Sequence, residues 1–329
     1  MVERAAPEAS ALVETLIKVV CDMIRTQGQE HWWIKGEFHR VFEAHGFQIQ
    51  PKHFYSPLPS PEVVESYDWS LRPFPLDRIN FNSGAWRRTL AQIGENAREF
   101  ARIEFPLLGD GTFPWENPFY TELDALALYS NIRTYRPKRI IEIGSGYSTH
   151  VALAAIERNK IGRITCIEPY PTAVLSQLSS SVEVLRQTAQ QAPLTLFDEL
   201  TANDLLFIDS SHVSAFQSDV NHEIFEILPR LAPGVIVHVH DIFFPWDYPK
   251  SWVDERHWFW TEQYLLYAFL LQNPCWEVFF PTFYTWNAAD DEMARSISPE
   301  VPCRSGAGLW LRRLDTKPGA GHANHPTTY

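Results

Sequence analysis

The spacing of apolar and polar positions changes along the chain near residue 120. From Lys138 onward, short apolar runs alternate with stretches of helical spacing. Arg139–Ile143, Arg163–Ile167, Val182–Leu185, Asp204–Ile208 and Val235–Val239 are each four or five residues and nearly continuous in hydrophobicity. Between them lie helical patterns over Tyr147–Arg158, after Pro171, and over Phe216–Leu231. Apolar strands separated by helices predict a parallel sheet covered on both faces. A helix over Thr261–Leu271 and two late strands, Trp276–Phe280 and Gly308–Arg312, complete seven strands. The fold class is therefore α/β, with a doubly wound, mostly parallel, seven-stranded sheet.

The earlier part of the chain reads differently. Residues 8–45 have helical spacing, and six prolines from Pro51 to Pro75 then preclude a continuous helix and suggest an extended arm. Helices are predicted over Ala85–Phe105 and Tyr120–Tyr135, with a loop over Pro106–Pro118 between them. This divides the chain into a helical and Pro-rich extension (1–118), a catalytic domain (119–314) and a polar tail (315–329) read as mobile. Trp32, Trp33, His53, Phe54, Tyr55, Trp115 and Tyr120 make the extension a candidate lid or homodimer contact, or a set of anchors for its own prolines.

Composition narrows the function. The 329 residues are 45% hydrophobic and 21% charged, the balance of a folded globular protein. A formal charge of −12 argues against nucleic acid as a partner. Four cysteines without a CxxC pair give neither a zinc signature nor a disulfide framework. The first apolar stretch, Ala11–Ile24, carries Glu14, Lys18 and Asp22 and reads as an amphipathic helix, not a signal peptide. The longest later run, Tyr264–Leu271, is too short to span a membrane. These features predict a reducing, cytoplasmic setting with no membrane partner.

Four strand ends carry chemistry. The first strand runs through Glu142-Ile-Gly144-Ser145-Gly146-Tyr-Ser148-Thr149 into a helix. Its glycines permit a tight turn and close ligand approach, and the helix start offers free N–H groups. The second strand ends at Glu168, twenty-four residues beyond Gly144, where a carboxylate can accept both hydroxyls of a ribose. Together they point to a nucleoside-containing cofactor. A dinucleotide fingerprint needs a third glycine where Thr149 stands, and Glu142 is ill suited to a pyrophosphate. The fourth and fifth strands end in Asp209-Ser210-Ser-His212 and His238-Val-His240-Asp241, so two carboxylates and up to three imidazoles converge on one crevice.

Glu142–Ser148, Ile167–Pro171, Asp204–Asp209 and Gly234–Asp241 resemble the successive motifs of the class I S-adenosylmethionine (SAM)-dependent methyltransferases over about residues 120–313. The resemblance implies a Rossmann-like fold and SAM as cofactor, with Ser148 departing from a third glycine that many members carry. It places the methionine part at Glu142 and the Gly144-Ser145-Gly146 turn, and the ribose at Glu168. Pro169, Tyr170, Arg186, Gln187, Asp209 and Ser210 would lie around the rest of the cofactor, Tyr170 either stacking on adenine or packing at a helix start.

Asp209 and Asp241 resemble two divalent-metal ligands of the catechol-type O-methyltransferase branch, and His212 stands where that branch has its catalytic base. Ile242 replaces the third ligand there, an Asn, which weakens a magnesium site. His238 and His240 share one strand face and, with Asp209 or Asp241, offer instead a two-His, one-carboxylate site for Mn, Fe or Zn. His238 reads more readily as a buried hydrogen-bonding residue than as a ligand.

Aromatics make up 14% of the chain and are densest from Phe243 to Tyr267. Phe243, Trp246, Tyr248 and Trp252, with His240 and Tyr120, are the predicted wall of an acceptor pocket. The expected activity is methyl transfer to an oxygen or nitrogen of a small-molecule acceptor, with His212, Asp209 and Asp241 as the catalytic set. The alternatives are a His/Asp metal-dependent hydrolase or oxygenase on the same sheet, and a non-catalytic SAM-binding partner subunit.

Overall fold

A computed structural model describes residues 7–27, 37–49, 55–105, 108, 113–114, 117, 119–178, 180–288 and 305–315. Trp32, Trp33, His53, Phe54, Trp115 and the tail from residue 316 lie outside the described residues. The chain forms two compact units, Met1–Tyr67 and Asp68–Tyr329.

The first unit holds α1 (Pro7–Gln27), α2 (Glu37–Ala44) and α3 (Pro61–Ser66). Pro61 opens α3 at a position where the first-turn N–H is unpaired in any helix, so the Pro-rich stretch is not wholly extended. On α1 the Lys18 ammonium pairs with Glu14 at 3.1 Å.

The second unit is built on seven strands: β1 (Arg139–Ile143), β2 (Arg163–Ile167), β3 (Glu183–Leu185), β4 (Leu205–Ile208), β5 (Ile236–Val239), β6 (Trp276–Pro281) and β7 (Leu309–Arg313). Their order is β3-β2-β1-β4-β5-β7-β6. β1 to β5 are mutually parallel, and only β7 runs antiparallel to its neighbours. The order reverses between β1 and β4, so the crevice beyond their carboxyl ends is the place where a ligand binds in such a sheet.

The sheet-bearing unit starts at Asp68, well before the expected domain boundary at 119. Residues 80–82 explain this. The Asn82 N–H donates to the Val278 carbonyl (2.9 Å) and the Val278 N–H to that of Asn80 (2.9 Å), which covers the open edge of β6. α4 (Ser83–Phe100) then packs its buried Trp86, Leu90, Ile93 and Ala97 into the core shared with α5 (Glu122–Tyr135) and α6 (Tyr147–Asn159). α4 ends at Phe100, short of the expected Phe105, as Phe100, Phe105 and Phe113 turn inward and pack on one another.

Alternation along the strands sorts the core into two faces. Ile140, Leu205, Phe207 and Ile236 meet α4, α5 and α6, whereas Ile141, Leu206, Ile208 and Val237 meet the opposite layer. That layer includes α8 (Leu194–Asp198), α9 (Asp219–His222) and α11 (Glu262–Leu270), while α7 (Ala173–Gln177) buries Leu175 in the cluster with α4, α5 and α6, and α10 (Lys250–Asp254) and α12 (Thr282–Ala288) flank α11 in the chain. The expected helix over Phe216–Leu231 is shorter and irregular. It passes from α9 into a π turn, Glu223–Ile227, and a 3-10 turn, Leu228–Arg230, where Pro229 lacks the N–H an α-helix needs. Among the described residues no helix is long and apolar enough to cross a membrane.

Candidate active site

The turn after β1 is shaped by Gly144. Its φ is +76°, and a Cβ there would overlap the backbone carbonyl of Asp209, with the carbonyl carbon 2.8 Å away. Gly144 thus lets the β1 and β4 ends close on each other, and its N–H donates to the Ile167 carbonyl (3.1 Å). At Gly146 a Cβ would meet nothing within 4 Å. Gly144, Ser145, Gly146, Tyr147, Ser148, Glu168, Thr172 and Asp209 line a cavity of about 370 Å³, closed on one side by Phe119 and Tyr120. The volume lies in the range of small-molecule sites.

Glu142 lies fully buried at the root of this turn. The Thr149 hydroxyl donates to its Oε2 at 2.6 Å, and Oε1 has no hydrogen bond among the described residues. Burial pushes its carboxyl up to about 7, against the Thr149 and Cys166 donors. Glu168 Oε1 accepts from the Tyr170 N–H (2.8 Å) and Oε2 from that of Ser145 (3.3 Å), which fixes the carboxylate at the cavity wall.

Beside the cavity the β4 and β5 ends bring His212, His240, Asp209 and Asp241 together. The Asp209 N–H donates to the Ile143 carbonyl and that of His240 to the Ile208 carbonyl, so each residue continues the sheet ladder. His212 Nε2 lies 3.2 Å from Asp209 Oδ1 and 3.7 Å from Asp241 Oδ2. His240 Nδ1 lies 3.4 Å from each of the same two oxygens. His212 and Asp241 have φ of +60° and +56°, a conformation that costs a non-glycine residue energy and gathers at functional sites.

The electrostatics follow from this packing. Burial alone would lower His212, but Asp209 and Glu262 outweigh it and hold the imidazole well above its ordinary range. His240 is raised in the same way, burial being outweighed by Asp241, Asp209 and Asp124. Burial would raise Asp209, yet His240 and His212 bring it below the usual carboxylate range.

Several site residues were not singled out by sequence pattern. Glu262 Oε2 lies 2.8 Å from His212 Nδ1, and the Trp260 ring stacks on the imidazole at 4.2 Å. Asp124, fully buried on α5, faces His240 Nε2 at 3.7 Å. It accepts from the hydroxyls of Thr121 (2.8 Å) and Thr282 (2.7 Å) and from the Ala307 N–H (2.8 Å). Glu262 and Asp124 belong to helices whose burial patterns look structural, and only tertiary contact reveals them.

Other predicted residues lie elsewhere. Asp209, His240 and Asp241 place one ligand atom each within 4.8 Å of one another, and His238 is not in this group. One rung earlier on β5, it is sandwiched between Phe207 (4.5 Å) and Trp310 (4.6 Å), its neighbours on β4 and β7. Burial holds it neutral, with a pKa near 3. Tyr170 is 84% exposed, so it packs on neither a helix start nor the cavity wall. The Ser210 hydroxyl turns away to Glu223 (3.1 Å), and Pro169 and Gln187 do not line the cavity. Phe243 and Tyr248 are buried, and Phe243 packs on Trp252 (5.1 Å) and Phe283 (4.9 Å). Trp246 packs on Phe283 (5.4 Å) with the Arg72 guanidinium over its ring. These aromatics form a packed block behind His212, and Tyr120 is the predicted pocket residue that reaches the cavity.

Residues 141–242, from β1 to just past Asp241, match the family described as methyltransferase domain. The seven-stranded sheet that holds them has the Rossmann-like order expected from the class I resemblance. An uncharacterised protein from Archaeoglobus fulgidus is 28% identical over 204 residues, covering 59% of this chain and 88% of its own. A putative O-methyltransferase structure from Klebsiella pneumoniae is similar at 15% identity, covering 73% of this chain and 94% of its own, with a TM-score of 0.37. A SAM-dependent O-methyltransferase from Thermotoga maritima is similar at 14% identity, covering 68% and 72%, with a TM-score of 0.34. The matched residues include the motifs from Glu142 to Asp241.

Proposed function

We propose that the chain methylates an oxygen or nitrogen of a small-molecule acceptor, with His212 as general base. The observation that carries this reading is the double role of Asp209, which lines the cofactor cavity and also lies 3.2 Å from His212 Nε2. An imidazole is thereby placed at the edge of the cavity where a methyl donor would end.

The cavity fits SAM on its own features. Glu142 does not line the cavity but lies buried behind the Gly144–Gly146 turn, where its carboxylate favours the cationic methionine end of a bound SAM. The absence of a Cβ at Gly144 opens the cradle, and Glu168 stands ready for a ribose diol. SAM supplies a methyl group on a sulfonium, and positive charge disperses as the methyl moves. The chain's own contribution is then orientation, exclusion of water and removal of one proton. Tyr120 and Phe119 cover the cavity, and a positioned base contributes on the order of 10² to 10⁴ in rate.

Asp209, His240 and Asp241 also fit a divalent cation, since they offer two carboxylates and one imidazole in a compact group. A cation there would take up the carboxylate charge that now keeps the proton on His212. Asp124 would orient His240 from behind, as outer carboxylates do for ligating imidazoles.

Glu142 predicts a pH dependence. Its carboxyl is protonated below about 7, so the cationic end of SAM meets an ionised partner only above that value. Affinity for SAM should rise with pH, by up to about tenfold per unit below 7, and level off above it. Glu142→Gln should flatten the profile in calorimetric titrations from pH 6 to 8.5. The linked effect on folding has the opposite sign. The folded carboxyl keeps its proton between its ordinary value and about 7, so this group's contribution to stability falls as pH rises through that window.

The activity itself is tested with SAM labelled in its methyl group and a panel of phenols, polyols and amines, with EDTA or added magnesium or manganese. Label appearing on an oxygen or nitrogen acceptor supports the proposal. Label transfer to carbon or sulfur acceptors alone contradicts it.

A further inference from the structure

His212 turns Nε2 toward Asp209 and Asp241, and its other surfaces are held by one short segment, 260–262. The Trp260 ring covers one face at 4.2 Å. The N–H groups of Thr261 and Glu262 both donate to the His212 carbonyl, at 2.9 and 3.0 Å. The Thr261 hydroxyl accepts from the Ser214 N–H at 2.7 Å, tying down the loop two residues on. The Glu262 carboxylate, itself buried, meets Nδ1 at 2.8 Å. These contacts hold a non-glycine residue in the left-handed region at φ +60°.

We infer that Glu262 is a positioning residue for His212: it takes a hydrogen bond from Nδ1–H and so fixes the ring with Nε2 facing Asp209 and the cavity. This rests on the reading of His212 as the base. The physical reason is that an imidazole has two similar faces and two tautomers. A ring free to turn about its last side-chain bond presents a carbon or the wrong nitrogen to the acceptor. Burial raises the Glu262 carboxyl and the His212 contact works against that rise. In its ionised form the carboxylate accepts hydrogen bonds and donates none, so opposite Nδ1 it favours the arrangement in which Nδ1 carries the proton. The Nε2 lone pair is then the one offered to the acceptor once that nitrogen is unprotonated. A histidine-orienting carboxylate does the same work in other hydrolytic and transfer enzymes, without touching substrate. Trp260 and the two backbone bonds restrict the ring plane but do not distinguish its nitrogens. Carboxylates face both, and Glu262 at Nδ1 (2.8 Å) is nearer and more deeply buried than Asp209 at Nε2 (3.2 Å), so it is the stronger determinant of the ring's orientation.

Glu262→Gln is the informative variant. It keeps the shape of the side chain, yet its amide can donate to Nδ1 and so favour the opposite tautomer. The readout is the long-range proton–nitrogen NMR spectrum of the full chain labelled with ¹⁵N in its histidine rings, with S-adenosylhomocysteine added. His212→Ala assigns the His212 signals. In the unaltered protein Nδ1 should appear as a protonated nitrogen whose proton is shifted downfield and exchanges slowly. Glu262→Asp should retain that signal with a smaller shift. Glu262→Gln should lose it, or speed its exchange by at least about tenfold, since a tenfold change answers to the loss of about 1.4 kcal/mol. An unprotonated Nδ1 in the unaltered protein overturns the inference, and so does a folded Glu262→Gln variant with the same signal. Should Glu262→Gln not fold, the spectrum of the unaltered protein still decides. Failure of the base reading shows differently: His212→Ala would retain methyl transfer while the Nδ1 signal stayed as expected.

Discussion

Gly144→Ala is expected to abolish SAM binding and to lower the melting temperature, while Gly146→Ala, two residues on, leaves the melting temperature unchanged. The two glycines share one turn and differ in what surrounds them. At Gly144 a methyl group would run into the Asp209 backbone, and φ is +76°. The left-handed conformation alone costs an L-residue on the order of 1–2 kcal/mol. The overlap adds more, because the backbone it strikes cannot rotate away as a side chain would. Relief requires β1 and β4 to part at their carboxyl ends, which displaces Asp209 from both the cavity and His212. At Gly146 the space is open, and the backbone is extended at φ 179°. Calorimetric titration with SAM, beside a thermal melt of each variant, checks the contrast. A loss of at least about 100-fold in affinity, or about 2.7 kcal/mol, is expected for Gly144→Ala, with a melting temperature below that of Gly146→Ala. Equal melting temperatures in the two variants would contradict the account of the turn.

His212→Ala should lower the rate of methyl transfer on the order of 10² to 10⁴-fold and leave SAM affinity nearly unchanged. The imidazole does not line the cofactor cavity and touches it only through Asp209. Removal should therefore strike proton transfer and spare the proposed SAM site at Gly144 and Glu168. The pH profile should show the same group. Asp209 and Glu262 hold the proton on His212 above the ordinary imidazole range, so the rate should climb with pH until the imidazole is free to accept a proton. In His212→Ala that limb of the profile should disappear. The measurement is initial rate against pH with labelled SAM and whichever acceptor takes the methyl group. A rate in His212→Ala within twofold of the unaltered protein would remove His212 from the mechanism.

The sheet was more legible in the sequence than the site. β1 and β2 were expected over Arg139–Ile143 and Arg163–Ile167 and are found there, because each is a short apolar run closed by a turn. The Phe216–Leu231 pattern misled where Pro229 interrupts the backbone bonds, which helical spacing does not register. Lys250–Asp254 and Thr282–Ala288 are short helices with too few turns to build a periodic signal. In the site, Asp209, His212, His240 and Asp241 were legible because strand ends in a parallel sheet must converge. His238 shares a strand face with His240, yet face alone does not say which residue reaches the strand end. Glu262 and Asp124 were hidden for a different reason. Glu262 meets His212 across fifty residues, and Asp124 meets Thr282 across 158. No local pattern marks a carboxylate that closes a contact over such a separation.

The central claim is that the cavity lined by Gly144 and Glu168, with Glu142 buried behind its turn, holds SAM at the edge of the His212 cluster. Calorimetric titration of SAM into the purified chain, with and without EDTA, tests it most directly. One site per chain is expected under both conditions, weakened at least about tenfold by Glu142→Gln at pH 8. No binding under either condition, or an affinity indifferent to Glu142, would contradict it.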